Sequence, residues 1–446
     1  MKADRYMKNF LNKIKILYSD QPEFLQSTSS FFSSLIQFLR RNESYLKYSL
    51  LERMIEPERI IQFRVCWIND KGIVKVNTAW RIQFNSSIGP FKGGVRFHPS
   101  VNLSILKFLA FNQVFKNSLI SIPMGGGKGG SNFNPKNKSE LEIMRFCQSM
   151  MTELHRHIGH NIDIPAGDIG VGEKEIGFMY GITKKLLNNA SCCFTGKSLN
   201  YGGSFFRKEA TGYGLVYFLE LMLKQHGIKI EGKKVSVSGS GNVALHAIEK
   251  CILMGAKVIS ASDSDGTVID SAGFNLEKIN QLKKIKKENK RIKIYAEKFK
   301  LIYLKNQNPW SVPTEIALPC ATQNEIRERD AYELIKNGVI AVAEGANMPV
   351  TKKAIRMFIE SNVIFGPGKA ANAGGVAVSG LEISQNSSYI NWDKNEVEDK
   401  LKDIMYKIHQ SCVKYGKIGK KINYTIGANT ASFIKVANAM LEQGIY

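Results

Sequence analysis

The sequence predicts an α/β protein of two domains, one of them a doubly wound parallel sheet. Three observations carry this. At 446 residues with 43% apolar content, the chain exceeds what one hydrophobic core supports. From about Phe205 to Phe365, short apolar runs alternate with segments of helical periodicity. The first two hundred residues are patterned differently, with glycine-rich segments between strand-like and helix-like stretches.

In the middle region the expected strands are Lys234 to Ser238, Lys257 to Ser262, Glu315 to Leu318, Val339 to Ala343 and Asn362 to Phe365. Between the first two, Val243, Ala247, Cys251 and Met254 recur at helical spacing and stop at Gly255. Strands alternating with helices imply parallel pairing. In the first region, Trp80, Ile82 and Phe84 alternate against Arg81 and Gln83 as a strand. A glycine-rich turn, a helix over Leu103 to Leu119 and a second glycine-rich turn at Gly125 to Gly130 follow. Ser139 and Glu142 form a capping box that opens the next helix. Helices are expected at Gly375 to Glu382, Lys394 to Tyr415 and Thr430 to Leu441. The division is therefore 1–204, 205–373, and 374–446 as C-terminal helices returning to the first domain.

No run of eighteen apolar residues and no apolar stretch after the basic start is present, so neither a membrane span nor a secretory signal is expected. The seven cysteines are odd in number and form no CxxC pair, which reads as buried free thiols in a reducing cytoplasm. A net charge of +23 raises nucleic acid as a partner, but the basic residues are spread along the chain. The one dense run, Lys283 to Lys293, lacks interleaved aromatics, so no nucleic-acid partner is expected. His155, His157 and His160 have no carboxylate or cysteine to complete a ligand set, and they read as surface histidines with no metal.

Gly239-Ser-Gly-Asn-Val-Ala244 fits G-x-G-x-x-G/A between an expected strand and an expected helix, the Rossmann signature. Gly239 permits the tight turn, Gly241 lets the backbone approach a pyrophosphate, and the helix N-terminus offers N–H groups to the anion. Ser240, Asn242 and Val243 belong to the same turn. Asp263 follows about twenty residues on, placed for ribose hydroxyls. Ser264 and Lys286 suit a 2′-phosphate, and Asp265 opposes one; NADP is the expected cofactor, with NAD the alternative.

Three lysines sit among glycines or on a helix face: Lys92 in GPFKGG, Lys116 three residues after Gln113, and Lys128 in PMGGGKGG. A lysine withdrawn from water between glycines has its pKa lowered toward working pH, which suits proton transfer. Gln113 and Lys116 share a helix face and could hold one carboxylate. Asp168 in PAGDIG could shuttle protons. On residue type alone, Lys92 and Asp168 also read as turn residues, and Gln113 with Lys116 as a solvated helix face.

Taken together, SLLERMIEPERIIQFRV, GPFKGGVRFHPSVNLSILKFLAFNQVFKNSL, PMGGGKGGS, PAGDIGVG, EATGYG, SVSGSGNVA, LPCATQNE, AEGANMP and GKAANAGGVAVSGLE resemble the small bacterial glutamate dehydrogenases over nearly the whole chain. The resemblance implies Lys128 as the catalytic lysine with Asp168 as its acid–base partner. It also implies Lys116 and Gln113 on the substrate α-carboxylate, Lys92 and Ser379 on the γ-carboxylate, and Gly167 among the substrate-binding positions. Thr211, Ser240 and Asn242 would meet the cofactor phosphates and ribose, and Asn347 the nicotinamide amide. Related leucine and phenylalanine enzymes carry an apolar residue where Lys92 stands. Glu173, Lys208 and Asp265 depart from the family pattern.

The expected reaction is reversible deamination of L-glutamate to 2-oxoglutarate and ammonia with NADP(H). It runs through an imine that water attacks, with Lys128 activating the water and Asp168 relaying protons. The amino acid would lie between the domains, with Thr211 to Gly214 and the tail near Gly374 as hinges. The resemblance further implies a cytoplasmic homohexamer.

Overall fold

The computed structural model describes residues 2–190, 193–288 and 290–445, and these form two compact units. Unit 1 comprises Met1–Phe205, Ser379–Val397 and Asn429–Tyr446; unit 2 comprises Phe206–Val378 and Glu398–Ala428. The segment 374–446, expected to return wholly to the first domain, is thus shared by both.

Unit 1 opens with helices α1 (Lys2–Leu17), α2 (Pro22–Ser34), α3 (Ile36–Arg41) and α4 (Leu50–Ile55). Strands β1 (Arg59–Ile68), β2 (Val74–Asn85) and β3 (Phe91–Phe97) lead to α5 (Leu103–Ser118), β4 (Gly126–Ser131), α6 (Glu140–Leu154), β5 (Asp163–Gly167) and α7 (Glu173–Leu187). The five strands pair in the order β1-β2-β4-β3-β5, with β3 parallel to both β4 and β5. On one face, Phe24, Phe31 and Phe32 of α2 pack against Phe84 of β2 and Phe111 and Phe115 of α5. On the other, Val95 and Phe97 join Phe146, Met150 and Met151 of α6 and Ile176 and Met179 of α7. The Ser139–Glu142 capping box opens α6 as expected.

Two features correct or extend the sequence expectation. Gly125 to Gly130, read as a turn, contains β4, a wholly buried strand between β2 and β3. Glycine weakens strands, but here it is required: a Cβ on Gly93 would stand 1.8 Å from the Gly127 carbonyl oxygen, and one on Gly126 would stand 2.3 Å from Val114 Cγ2 of α5. The Lys92 turn is likewise strand β3. Second, the strand carrying Arg81 and Gln83 is present as expected, and the alternation gave no sign that both polar side chains are fully buried. Arg81 Nε donates to Asp163 Oδ2 at 2.8 Å, Gln83 Nε2 donates to the same oxygen at 3.1 Å, and the guanidinium also reaches the Gly93 carbonyl at 3.1 Å.

Unit 2 runs α8 (Ala210–Gln225), β6 (Lys234–Val237), α9 (Asn242–Leu253), β7 (Lys257–Val258), β8 (Ser260–Asp263), β9 (Gly266–Ile269), α10 (Leu276–Lys287), α11 (Ile292–Phe299), β10 (Ile302–Lys305), β11 (Ile316–Leu318), α12 (Glu328–Lys336), β12 (Ala341–Ala343), α13 (Lys352–Glu360), β13 (Ile364–Gly366) and α14 (Gly368–Ala371). Its main sheet has the order β13-β12-β11-β6-β7, all parallel. The strand expected over Lys257 to Ser262 divides, β7 staying in this sheet and β8 joining an antiparallel β10-β9-β8 sheet. The cause is local. The Ser260 and Ser262 hydroxyls accept from the Val237 and Gly239 amides at 2.9 and 2.7 Å, so side chains replace part of the backbone ladder. Helices α15 (Gly374–Ser388), α16 (Lys394–Gly416) and α17 (Tyr424–Glu442) complete the chain, with the hairpin β14 (Lys417–Ile418) and β15 (Lys421–Ile422) between the last two.

Six described cysteines are free thiols, five buried and Cys66 exposed on β1 against the expectation of burial; Cys192 lies outside the described residues. No helix among the described residues is long and apolar enough to cross a membrane, and none of their His, Cys, Asp and Glu side chains cluster to hold a metal.

Candidate active site and dinucleotide site

In unit 1 the period-two alternation of β3 sends Lys92, Gly94 and Arg96 to one face of the sheet. The neighbouring strand β4 sends Gly126, Lys128 and Gly130 to that face, which α5 covers, as the Gly126–Val114 contact shows. Gly94 is where the strands' chemistry meets. A Cβ there would stand 2.9 Å from Asp168 Cβ and 3.2 Å from Lys128 Nζ, so its absence opens the space in which lysine and aspartate converge. Lys128 Nζ lies 3.2 Å from Asp168 Oδ2. Asp168 follows β5 directly, in a tight turn closed by hydrogen bonds with Val171. Burial pushes the Lys128 ammonium below the ordinary lysine range, and Arg96 adds to this, with Asp168 opposing. Burial pushes the Asp168 carboxyl up, but Lys128 and Arg96 outweigh it and hold the group below the ordinary carboxylate range.

Lys92 is 1% exposed, and its Nζ donates to Thr195 Oγ1 at 2.8 Å. Gln113 lies against β3, its Cγ 3.3 Å from where a Gly93 Cβ would be, and its amide donates to Asn117 Oδ1 at 2.6 Å. Asn117 in turn donates to the Lys92 carbonyl at 3.2 Å and to the Gly125 carbonyl, tying α5 to both glycine segments. Lys116 is on α5 one turn from Gln113, half-buried. Ser379, on α15, is 2% exposed. Three residues further, Glu382 is fully buried and pairs with Lys197 Nζ at 2.8 Å, while accepting from the Gly196 amide at 2.8 Å. That clamp fixes the loop bearing Thr195. Gly167 ends β5 opposite Val95.

In unit 2, Gly239 adopts φ +88°, and a Cβ there would crowd the Cys320 carbonyl at 3.1 Å. Gly241 is the N-cap of α9 and has no side chain to bond the first-turn amides; a Cβ on it would meet nothing within 4 Å. The cradle therefore has open space over free helix donors, which fits a pyrophosphate. Ser240 and Val243 flank it, and the Asn242 amide anchors the Lys208 carbonyl at 2.6 Å. Thr211, in the first turn of α8, packs its hydroxyl against Gly375 of α15. Asp263 ends β8, accepting from the Asp265 and Ile292 amides at 3.0 and 2.9 Å, with Lys286 Nζ 3.8 Å away. Ser264 accepts from Arg291 at 2.6 Å, and the same guanidinium pairs with Asp265 at 3.1 Å. Two cations beside Asp263 and Ser264 fit a 2′-phosphate. Asn347 is exposed on a segment whose preceding carboxylate, Glu344, accepts from the Gly368 and Val350 amides, while Asn372 reaches Asn347 Oδ1 at 3.3 Å.

Arg96, Thr195, Arg291 and Asn372 were not singled out from sequence. A strand assignment for PFKGGVRF would have put Arg96 on the face of Lys92, and Arg291 lies within the basic run Lys283 to Lys293, weighed there only for nucleic acid. The departures are placed plainly: Glu173 is exposed in the first turn of α7, and Lys208 contributes only its carbonyl to the Asn242 contact described above.

Residues 202–444 match the family model for glutamate/leucine/phenylalanine/valine dehydrogenase, and 57–185 match that for the Glu/Leu/Phe/Val dehydrogenase dimerisation domain. The NADP-specific glutamate dehydrogenase of Escherichia coli is 58% identical over 440 residues, 98% of each chain. The NAD-specific glutamate dehydrogenase of Bacteroides fragilis is 49% identical, covering 98% of this chain and 99% of its own. The crystal structure of Plasmodium falciparum glutamate dehydrogenase superposes with a TM-score of 0.97 at 48% identity, covering 100% of this chain and 96% of that one.

Proposed function

The chain belongs to the glutamate/leucine/phenylalanine/valine dehydrogenase family, and from that premise we propose that Lys128 and Asp168 form its catalytic pair. The activity is the reversible oxidative deamination of L-glutamate to 2-oxoglutarate and ammonia, and the cofactor is NADP(H).

Unit 1 is the substrate-binding part and unit 2 the dinucleotide-binding part. When bound, NADP⁺ would supply the acceptor for the hydride of the substrate Cα, whose loss from the free amine gives the imine. Lys92, Thr195 and Ser379 hold the γ-carboxylate, and Gln113 and Lys116 the α-carboxylate, with Gly167 leaving room beside them. Lys128, as free amine, takes a proton from the water that adds to the imine carbon. The proton that Lys128 has taken passes by way of Asp168 to the nitrogen, ammonia departs, and the hydroxyl collapses to the ketone as its proton goes to the freed Lys128 amine. On the dinucleotide, Gly239, Gly241 and Val243 with Ser240 border the pyrophosphate, and Thr211 and Asn242 stand beside them. Asp263 holds the ribose, Ser264, Lys286 and Arg291 the 2′-phosphate, and Asn347 the nicotinamide amide. Because Arg291 already pairs with Asp265, that carboxylate carries less of the repulsion its sequence position suggests.

A homohexamer in the cytoplasm completes the reading. Exposed Ile60, Ile68, Ile73, Val74 and Val76 on the β1–β2 ribbon supply an apolar subunit surface, and the free thiols suit a reducing compartment.

The convergence of Lys128 and Asp168 at Gly94 is the observation that carries the catalytic assignment. It is tested by following NADPH and NADH oxidation with 2-oxoglutarate and ammonium in the parent and in Lys128→Ala. The variant is expected to lose on the order of a hundred- to ten-thousandfold in kcat, with NADPH the preferred reductant. A variant retaining parental kcat would remove Lys128 from the chemistry.

A further inference from the structure

The established chemistry assigns no task to Arg96, yet it is the third charged group at the point where Lys128 and Asp168 meet. Its Nε donates to Asp168 Oδ2 at 2.7 Å, and Lys128 Nζ approaches that same oxygen at 3.2 Å. All three side chains are withdrawn from bulk water, at 17%, 19% and 8% exposure for Arg96, Asp168 and Lys128. Two cations therefore share one carboxylate oxygen, and the arginine holds it at the shorter distance. We propose that Arg96 is a positioning residue which claims the Asp168 carboxylate and so keeps that aspartate from locking Lys128 in its protonated form.

The physical case follows from charge. A lysine alone beside a buried carboxylate forms an ion pair that retains the ammonium proton, and such a lysine is a poor base. A guanidinium keeps its proton at working pH, so the resting Arg96–Asp168 pair is close to neutral, and Lys128 faces a dipole in place of an uncompensated carboxylate. Arg96 and Arg81 both push the Lys128 proton off, while Asp168 holds it on. Arg81 on β2 is itself neutralised by buried Asp163 on β5, and Lys92 on β3 is engaged with Thr195. Arg96 is thus the cation whose removal changes the balance at Asp168 most directly. Without it Asp168 turns wholly to Lys128, and the lysine releases its proton only at higher pH.

The proposal rests on Lys128 and Asp168 being the catalytic pair, and the test separates the two claims. The kcat and KM for glutamate oxidation are measured against pH for the parent, Lys128→Ala, Arg96→Gln and Arg96→Lys. In Arg96→Gln the rising limb of kcat moves to higher pH. At neutral pH kcat falls at least about tenfold with KM for glutamate little changed, and at high pH it recovers toward the parent. Arg96→Lys, which keeps a cation in place, holds the limb near the parental pH. An Arg96→Gln limb at the parental pH overturns the proposal, as does a loss appearing in KM alone. Thermal melting and NADPH fluorescence titration show whether each variant is folded. Should Arg96→Gln melt early, Arg96→Lys decides, since a limb displaced despite the retained charge overturns the proposal too. Full activity in Lys128→Ala would instead bring down the catalytic pair itself.

Discussion

Asp265 shows how one neighbour changes the meaning of a side chain. Read along the chain, it places a negative charge where a 2′-phosphate would bind, yet Arg291 sits against it and against Ser264 at once. All three groups are near the surface, so the Asp265–Arg291 pair is weak and exchangeable, and a doubly charged phosphate can displace a carboxylate from the guanidinium. Arg291→Ala should therefore raise the dissociation constant for NADPH by about tenfold, the equivalent of about 1.4 kcal/mol, and leave that for NADH nearly unchanged. Fluorescence titration of the two reduced cofactors reads this directly, and equal losses for both would take Arg291 out of phosphate recognition. The converse change, Asp265→Ser, should tighten NADPH alone.

Among the elements, those whose signals are local were legible in the sequence and those set by neighbours were not. The β6–turn–α9 unit is written in the order of its own residues: an apolar run, a glycine that must take positive φ, and apolar positions at helical spacing. The α6 capping box is equally local. Strand β4 is the opposite case. Nothing in a glycine-rich run around one lysine favours extended backbone, and the pairing comes entirely from β2 and β3 on either side, which propensity cannot register. The same blindness left Arg96, just past the supposed turn at Lys92, unnoticed, and gave no sign that Arg81 is buried. The lysines among glycines stood out in the sequence, but the roles of Lys92, Lys128 and Asp168 came from the family resemblance, and their shared face required the strand assignment. Crowding at β4 sets the expected cost of filling it: Gly93→Ala, whose Cβ would collide with the Gly127 carbonyl oxygen at 1.8 Å, should lower stability by about 3 kcal/mol or more. Urea denaturation measures it, and a Gly93→Ala variant as stable as its parent would mean that β3 and β4 can part without loss.

At the scale of the whole molecule, the apolar side chains exposed on the β1–β2 ribbon bear on assembly. On the homohexamer proposed above, the native mass is expected at six times the 50.0 kDa of one chain, and if the ribbon joins subunits, Val76→Glu, at a position 62% exposed, lowers it. Mass photometry of both proteins reads the outcome; an unchanged mass in the variant would exclude Val76 from the contact. A different consequence comes from the tail, which serves unit 2, then unit 1, then unit 2 again before ending in unit 1. The last stretch is no loose end: Phe433, Val436 and Ala437 are fully buried, Lys435 bonds the Ile120 carbonyl at 2.9 Å, and Gln443 bonds that of Ser87 at 2.8 Å. Residues of unit 1 thus stand on both sides of unit 2 along the chain. The seat for α17 stays uncovered until the unit 2 residues that precede α17 have been made, so a variant cut before α17 leaves the helix-covered sheet of unit 1 without that cover.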